Sequence, residues 1–547
     1  MKKKIYIAVL ILLGIFPLFG LFHSGLPVTH DGQDHVIRLA NFYKNLTDGI
    51  IIPRWAPNVN YGFGDPIFLF FYPLPYYLAS LFHFLSFSFI DSAKIVYGLG
   101  FVLSGISMFL FGSELFGDEA GFVSGLLYMF SAYRFVDIYV RGDIGENLAF
   151  VFVPLIFYFL VKLSAKLKYK YIVGASFSLA LLILSHNAIS IMMLPLIALF
   201  CLFLAKEKKG RLRKLGIFGL FFILGFALSA FFWLPGLMEG KYTLREIVTK
   251  GGYLTNFVDP KALLYGPWSY GGSGEFTVQI GLVNIAAFIL SIPVLFYKRK
   301  KNKQFLFIVG LLVYSLAAVF LMLWQSNILW EKIRFLQNFQ FPWRFLAVTV
   351  FTTSFLAGFV VSNIPKRYLI GACIVLTILI LFFNRNYEHA DSYEHEADSF
   401  FAKVHRTTTN DTGESSPIWS VRFMEQKPNA AIEFISGSGD IKQKKRTTTL
   451  HQYIATASDS SRLRENTLYF PGWEVRVDNV PVELQFQDPK SRGLMTFFIP
   501  AGTHAVTVAL HETKLRLLAD IISLVTFLGI LIASLYTKQK GLWKRFR

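Results

Sequence analysis

The sequence predicts a polytopic α-helical membrane protein of about twelve transmembrane helices, with a β-sandwich-like domain near its C-terminus. Three observations predict it. Apolar runs long enough to cross a bilayer recur through most of the 547 residues, of which 54% are hydrophobic and only 16% charged, too apolar for an ordinary soluble domain. Lys and Arg concentrate in alternate loops between these runs. After Asn384 the composition changes to polar segments with strand-like alternation.

The opening MKKKIYIAVLILLGIFPLFGLF has a basic start and an apolar run but no small-residue cleavage site, and reads as an uncleaved anchor. Further runs lie near 95–112, 120–138, 147–161, 171–185, 187–205, 215–234, 280–297, 305–323, 345–362, 368–383 and 517–536. The run at 66–90 is long enough to cross, but Pro66, Pro73 and Pro75 crowd its first half. Loop charge decides how to read it. If 66–90 does not cross, the tips at 162–170, 206–214, 298–303, 365–367 and 538–547, with 4, 6, 5, 2 and 5 basic residues, share the cytoplasmic side with the N-terminal lysines, as short cytoplasmic loops should. The segment is therefore predicted as a re-entrant or interfacial element of a first external loop, 23–94. Both termini are then cytoplasmic, and every long polar segment is extracytoplasmic.

The net charge of +19 then reports membrane topology, and a nucleic-acid partner drops out. Cys201 and Cys373 sit inside apolar runs, which excludes an extracytoplasmic disulfide framework or a CxxC metal pair. Within the spans only Arg134, Asp137 and Asp520 are ionisable, each at an external end. That pattern disfavours an ion-coupled pathway and favours chemistry at the outer surface. Residues 1–384 are predicted as the membrane domain, 385–515 as an extracytoplasmic β-rich domain, and 516–547 as a last span with a basic tail. The strand candidates are TLYF, WEVRVDN, VELQF, GLMTFFI and HAVTVAL, punctuated by Pro471–Gly472, Asp478–Asn479 and Pro500–Gly502. Sequons occur at Asn45 and Asn410.

The candidate site is THDGQDHVIR, Thr29 to Arg38, at the exit of the first apolar run. From Asp34 onward, Val36, Leu39, Tyr43 and Leu46 recur at helical spacing and Gly49 is placed to stop the helix. The expectation is a helix lying in the interface. One turn earlier, Asp31, His35 and Arg38 fall at i, i+4 and i+7 and share a face. A carboxylate beside a cation at headgroup level suits a polar reaction on a lipid-linked phosphate. Two other readings stay open: Asp and His simply cap the helix, or His30, Asp31, Asp34 and His35 supply ligands to a divalent metal. Four such residues would need an irregular turn to converge.

With HDGQDHVIR, PRW (53–55), NYGFGDPIFLFFYPLPYYL, YVRGDIGE, WSYGG, QFPWRF and YFPGWEVRVDN taken in order, the chain resembles the C-type superfamily of integral-membrane glycosyltransferases. Within it, the chain is most similar to the bacterial multi-pass proteins labelled 6-pyruvoyl-tetrahydropterin synthase-related, and to membrane proteins linked to teichoic-acid glycosylation. No His cluster on a soluble fold is present, as a zinc-dependent pterin synthase would need. The resemblance implies a polyprenyl-phosphate sugar donor, an envelope glycan or lipid acceptor at the external face, and a catalytic carboxylate in the first external loop, a position Asp31 matches. Arginines would hold the leaving phosphate. Of Arg38, Arg54, Arg141, Arg245, Arg334 and Arg344, the ones in matching motifs beside a membrane boundary are Arg38, Arg141 and Arg344. Glu146 matches a second functional carboxylate, with Asp143 as its competitor. Trp268 and Tyr270 could stack on a sugar ring. In TTTNDTGESSPIW (407–419), Ser415 and Ser416 depart from the family pattern and leave Glu414 without an assigned role. The rival classes are a transporter or flippase of lipid-linked saccharides and a non-catalytic envelope protein.

Overall fold

The computed structural model describes residues 2–206, 210–272, 275–297, 304–409 and 412–540. The basic tip 298–303, part of the tip 206–214, the tail beyond residue 540 and Asn410–Asp411 of the second sequon lie outside the described residues.

The helices that organise the fold are α1 (Lys2–Ile15), α2 (Gly32–Thr47), α3 (Leu74–Phe84), α4 (Phe89–Phe116), α5 (Asp118–Met129), α6 (Ile144–Ala165), α7 (Tyr169–Ser185), α8 (Asn187–Leu204), α9 (Arg211–Leu228), α10 (Ala230–Glu239), α11 (Leu282–Tyr297), α12 (Phe305–Met322), α13 (Leu346–Val361), α14 (Lys366–Asn384) and α15 (Lys514–Lys540). Among the described residues, eight helices are long and apolar enough to cross a membrane. The pair α9–α10 is bent by 74° at Ser229 and is either one broken span, a ninth, or a re-entrant loop, and α7 and α11 are shorter apolar helices. With α5 these helices fall on the runs expected to span, though α5, α7 and α11 are shorter than a full crossing.

The run at 120–138 differs from a plain span. Its helix ends at Met129, Ser131 turns its hydroxyl back onto the Leu127 carbonyl, and the chain continues as one helical turn, Ala132–Val136, and a π-turn, Asp137–Arg141. At 66–90, α3 has only 11 residues, about 16 Å of rise and half of a bilayer core. This agrees with a segment that enters without crossing.

The helix expected in the first external loop forms as α2, with Asp31 at its N-cap and Gly49 ending it at φ 87°. It is enclosed rather than spread on a surface, since every residue from His35 to Phe42 is buried. Its cover comes from three directions. Asn60 and Tyr61 donate their N–H groups to Thr407 and His405 of the segment after α14. Leu26–Pro27 (β1) pairs antiparallel with Tyr393–Glu394 (β2). Asp48 accepts both the N–H and the hydroxyl of Thr448 in the C-terminal domain.

That domain holds β3 (Ile432–Ser436), β4 (Gly439–Arg446), β5 (Leu450–Ala457), β6 (Ser461–Leu468), β7 (Trp473–Val477), β8 (Val480–Pro481), β9 (Leu494–Ile499) and β10 (Gly502–Leu510). They form two antiparallel sheets, ordered β4-β5-β10-β7-β8 and β3-β6-β9. Alternate residues such as Tyr453, Ala455, Val475, Val506, Leu463 and Phe497 close one core between them, which Trp55, Phe63 and Phe70 of the first loop also enter. The expected strand VELQF is not one continuous strand: its Val482 N–H still donates to the Val475 carbonyl of β7, and the segment then crosses to the other sheet, where Gln485 bridges Thr496 of β9.

Candidate functional site

The site is built on the turn RGDIGE between α5 and α6. The π-turn closes Asp137 onto Arg141, whose Nη1 donates to Asp137 Oδ1 at 2.7 Å; such turns recur at functional positions because they re-aim side chains. Gly142 follows in the left-handed region (φ 67°), where a Cβ would lie 2.2 Å from Thr29 Oγ1, so a glycine is required there. Asp143 then caps α6, its Oδ1 accepting the N–H groups of Gly145 and Glu146 at 3.1 and 2.9 Å.

The loop that follows the first apolar helix docks on this turn by its backbone. The His30 N–H donates to the Val140 carbonyl at 2.9 Å and the Asp31 N–H to the Arg141 carbonyl at 2.8 Å. Tyr97 donates its hydroxyl to the Gly142 carbonyl from α4.

Arg141 is 2% exposed and meets three carboxylates: Asp137 at 2.7 Å, Asp143 at 2.8 Å and Glu146 at 2.6 Å. Glu146 Oε1 also accepts from Tyr133 at 2.8 Å. Arg134 approaches Asp137 at 3.8 Å, donates to Asn147 at 2.6 Å and lies over the Phe150 ring at 4.0 Å. Three acids against two arginines leave the buried cluster short of positive charge. Asp143 carries the most donors. Besides its cap bonds it accepts from Tyr72 at 3.0 Å, and His186 stands 3.4 Å from Oδ2. His186 Nδ1 accepts the Ile189 N–H, so its ring proton belongs on Nε2, facing Asp143. Burial works to raise the Asp143 carboxyl, but His186 and Arg141 outweigh it and hold it well below the usual carboxylate range. So held, Asp143 is an anchor and a poor proton acceptor.

A second group faces this one from α2. Arg38 Nη1 donates to His35 Nδ1 at 3.3 Å, and the Tyr76 hydroxyl lies 2.8 Å from the same atom. Arg38 has no acceptor, so His35 is neutral with its proton on Nε2. Burial first, and then Arg38, hold its pKa well below the ordinary histidine value. Arg38 also donates to Thr409 at 3.2 Å and rests 4.2 Å from the Phe71 ring centroid. Nearby, burial pushes the Asp65 carboxyl up to about 8, with Arg38 acting against the shift.

Asp31, His35, Arg38, Arg141 and Glu146 therefore gather on one set of elements. The others are distributed around it. Trp343 reaches Arg141, whose guanidinium lies 4.7 Å from its ring centroid, while Arg344 itself donates to the Phe339 carbonyl and leans on Phe341. Trp268 stacks on Tyr387 at 4.7 Å and Tyr270 donates to the His389 carbonyl, and their loop meets the first loop where His30 Nε2 lies 3.0 Å from the Gly271 carbonyl. Arg54 is committed elsewhere, to Asp520, Glu512 and the Phe231 carbonyl. Arg245 stands 3.9 Å from Glu414, which accepts from Gln340, and Arg334 is exposed.

For a metal, the residues brought together are not Asp31, Asp34 and His35. Among the described residues the trio is Asp143, Glu146 and His186, whose ligand atoms lie within 4.8 Å of one another. Arg141 already spends its donors on two of the three, so an ion there would compete with a resident cation. His186, Tyr72, Arg134 and Asp137 escaped the sequence reading as site residues. The signals were a polar pair, His186–Asn187, between two apolar runs, and the first tyrosine of FYPLPYY, Tyr72.

Comparison with known proteins adds the following. The family described as 6-pyruvoyl-tetrahydropterin synthase related domain, membrane protein, matches residues 68–389, more than half of the chain. An uncharacterized protein of Lactococcus lactis subsp. cremoris is 32% identical over 255 residues, 44% of this chain and 41% of that protein. Among solved structures, the oligosaccharyltransferase of Archaeoglobus fulgidus tethered to an acceptor peptide aligns at 13% identity and a TM-score of 0.42, over 74% of this chain and 55% of that one. The oligosaccharyltransferase AglB from Archaeoglobus fulgidus, with an inhibitory peptide and a dolichol-phosphate, aligns at 15% identity and a TM-score of 0.45, over 76% of this chain and 61% of that one. ArnT from Cupriavidus metallidurans aligns at 11% and 0.40, over 73% and 68%. The chain thus spans less than half of its curated relative and just over half of the first of these structures.

Proposed function

We propose, on the premise that the chain belongs to the 6-pyruvoyl-tetrahydropterin synthase related family of membrane proteins, that it transfers a sugar from a polyprenyl-phosphate-linked donor to an acceptor at the extracytoplasmic membrane face. In this reading both termini are cytoplasmic, residues 1–384 form the catalytic membrane part, 385–515 an extracytoplasmic cover, and 516–547 the last span and tail.

One observation carries the proposal. Asp31, half-buried, is tied by its N–H to the Arg141 carbonyl at the rim of a cluster in which Asp143 and Glu146 are engaged by Arg141, Tyr72, Tyr133 and His186. In this reading Asp31, in the loop that docks by its backbone on the RGDIGE turn, is the carboxylate that meets the substrate. It accepts the proton of the acceptor hydroxyl as that oxygen attacks the anomeric carbon, the bond from that carbon to the phosphate oxygen breaks, and the lipid phosphate departs with its electron pair. Arg38 and Arg344 hold the charge the phosphate gains, Arg141 and Glu146 keep the turn beneath Asp31 in shape, His35 orients Arg38, and Trp268 and Tyr270 flank the sugar.

The test is Asp31→Asn in membranes supplied with polyprenyl-phosphate sugars. Transfer should fall by about 10²–10⁴-fold, the weight of a general base. Unchanged transfer sinks the assignment. Lipid-linked saccharide crossing the bilayer with no new glycosidic bond would favour a flippase.

A further inference from the structure

A lateral groove of about 580 Å³ runs between α1 and α14. Its walls are apolar, with Leu12 and Phe16 on one side and Leu381 and Phe382 on the other, and at one end stand Arg385 and Glu388. The candidate spans that contain α1 and α14 bury only 28% and 17% of their apolar windows inside the protein, so what lies against them is lipid. The size suits a single alkyl chain, being within the range of pockets that enclose small ligands, about 300–1,000 Å³.

The polar end selects among lipids. Arg385 follows directly on the last residue of α14, donates to the Phe382 carbonyl and lies 4.0 Å from the Phe382 ring centroid, which keeps its charge at the groove mouth instead of trailing into water. Glu388, three residues on, is half-buried. Arg385 and Glu388 set a cation and an acid at the lining of one groove, so a purely anionic headgroup has a partner in only one of them. A headgroup that carries a phosphate and an ammonium meets both.

We propose that the groove between α1 and α14 binds an alkyl chain of an aminophospholipid, with Arg385 on the lipid phosphate and Glu388 on the ammonium group. Burial pushes the Glu388 carboxyl up to about 7, and an ammonium beside it is the partner that keeps it ionised. None of the residues assigned to sugar transfer lines the groove, so this site stands or falls separately from the reaction.

The experiment is native mass spectrometry of the full chain released from nanodiscs with equal phosphatidylethanolamine and phosphatidylglycerol. One phosphatidylethanolamine per chain should remain, preferred by about tenfold, the weight of one charge-assisted hydrogen bond. Leu381→Trp or, on the opposite wall, Leu12→Trp fills the groove and removes the lipid with the unfolding midpoint kept. Glu388→Gln keeps the lipid and brings the preference close to parity. No retained lipid, equal retention of phosphatidylglycerol or of added polyprenyl phosphate by the unaltered chain, or retention indifferent to both groove fillings overturns the proposal.

Discussion

Replacing Arg141 by Met removes one charge, keeps most of the side-chain stem, and leaves three carboxylates that it had met at 2.6–2.8 Å. The losses are unequal. Asp143 keeps Tyr72, His186 and two backbone N–H groups, so it stays solvated by the protein. Glu146 keeps the Tyr133 hydroxyl, and Asp137 the more distant Arg134 at 3.8 Å. Both are fully buried, and a buried ion deprived of its partner costs about 3–5 kcal/mol. Arg141→Met should therefore destabilise the protein by about that amount, read as a fall in the unfolding midpoint of purified protein in nanodiscs. Adding Glu146→Gln neutralises one of the two orphaned charges. The double variant should recover at least about 1 kcal/mol relative to the sum of the single changes, the usual coupling of residues in one network. A loss below about 1 kcal/mol for Arg141→Met, or strict additivity in the double variant, would show that the cluster is not the buried ionic knot described.

Gly142→Ala places a methyl against Thr29 and the Gly32 N–H on a left-handed backbone; stability should fall by about 1–3 kcal/mol, transfer should fall with it, and Thr29→Ala should restore part of both. Asp65 has its folded pKa raised to about 8 from 3.8, so the folded state holds a proton the unfolded chain has lost. Its contribution is greatest below pH 4 and disappears as pH rises through 8, and Asp65→Asn should flatten that decline in the unfolding midpoint. Arg54→Lys loses the fork that joins Asp520, Glu512 and the Phe231 carbonyl. It should lower the unfolding midpoint while leaving the KM for donor unchanged, whereas a phosphate-binding role would raise KM.

The site was legible wherever its residues sit close together in the chain. Asp31, His35 and Arg38 share a helix, and helical periodicity alone places them on one face. Arg141, Asp143 and Glu146 share a turn, and Gly142 announces its tight backbone. What failed to show was the spending of charge. Arg141 reads as a free cation beside a membrane, yet three acids from its own turn consume it, and Arg54 reads the same way until Asp520 of the last span and Glu512 just before it reach it. The α2 helix reads as an interfacial helix because its cover comes from segments hundreds of residues later.

By itself, then, the sequence determined the membrane part, the order of the spans, the early stop of the Pro-rich segment and the change to a sheet domain, because hydropathy, loop charge and turn residues act over one helix or strand at a time. Only the tertiary structure decided that His186 and Tyr72 reach Asp143, that Thr409 covers Arg38, and that α5 ends short so a π-turn can aim Arg141 inward. Those contacts join residues up to 371 positions apart. No local propensity encodes them; they exist because burying charge far from water is tolerated only where donors from separate elements converge on it.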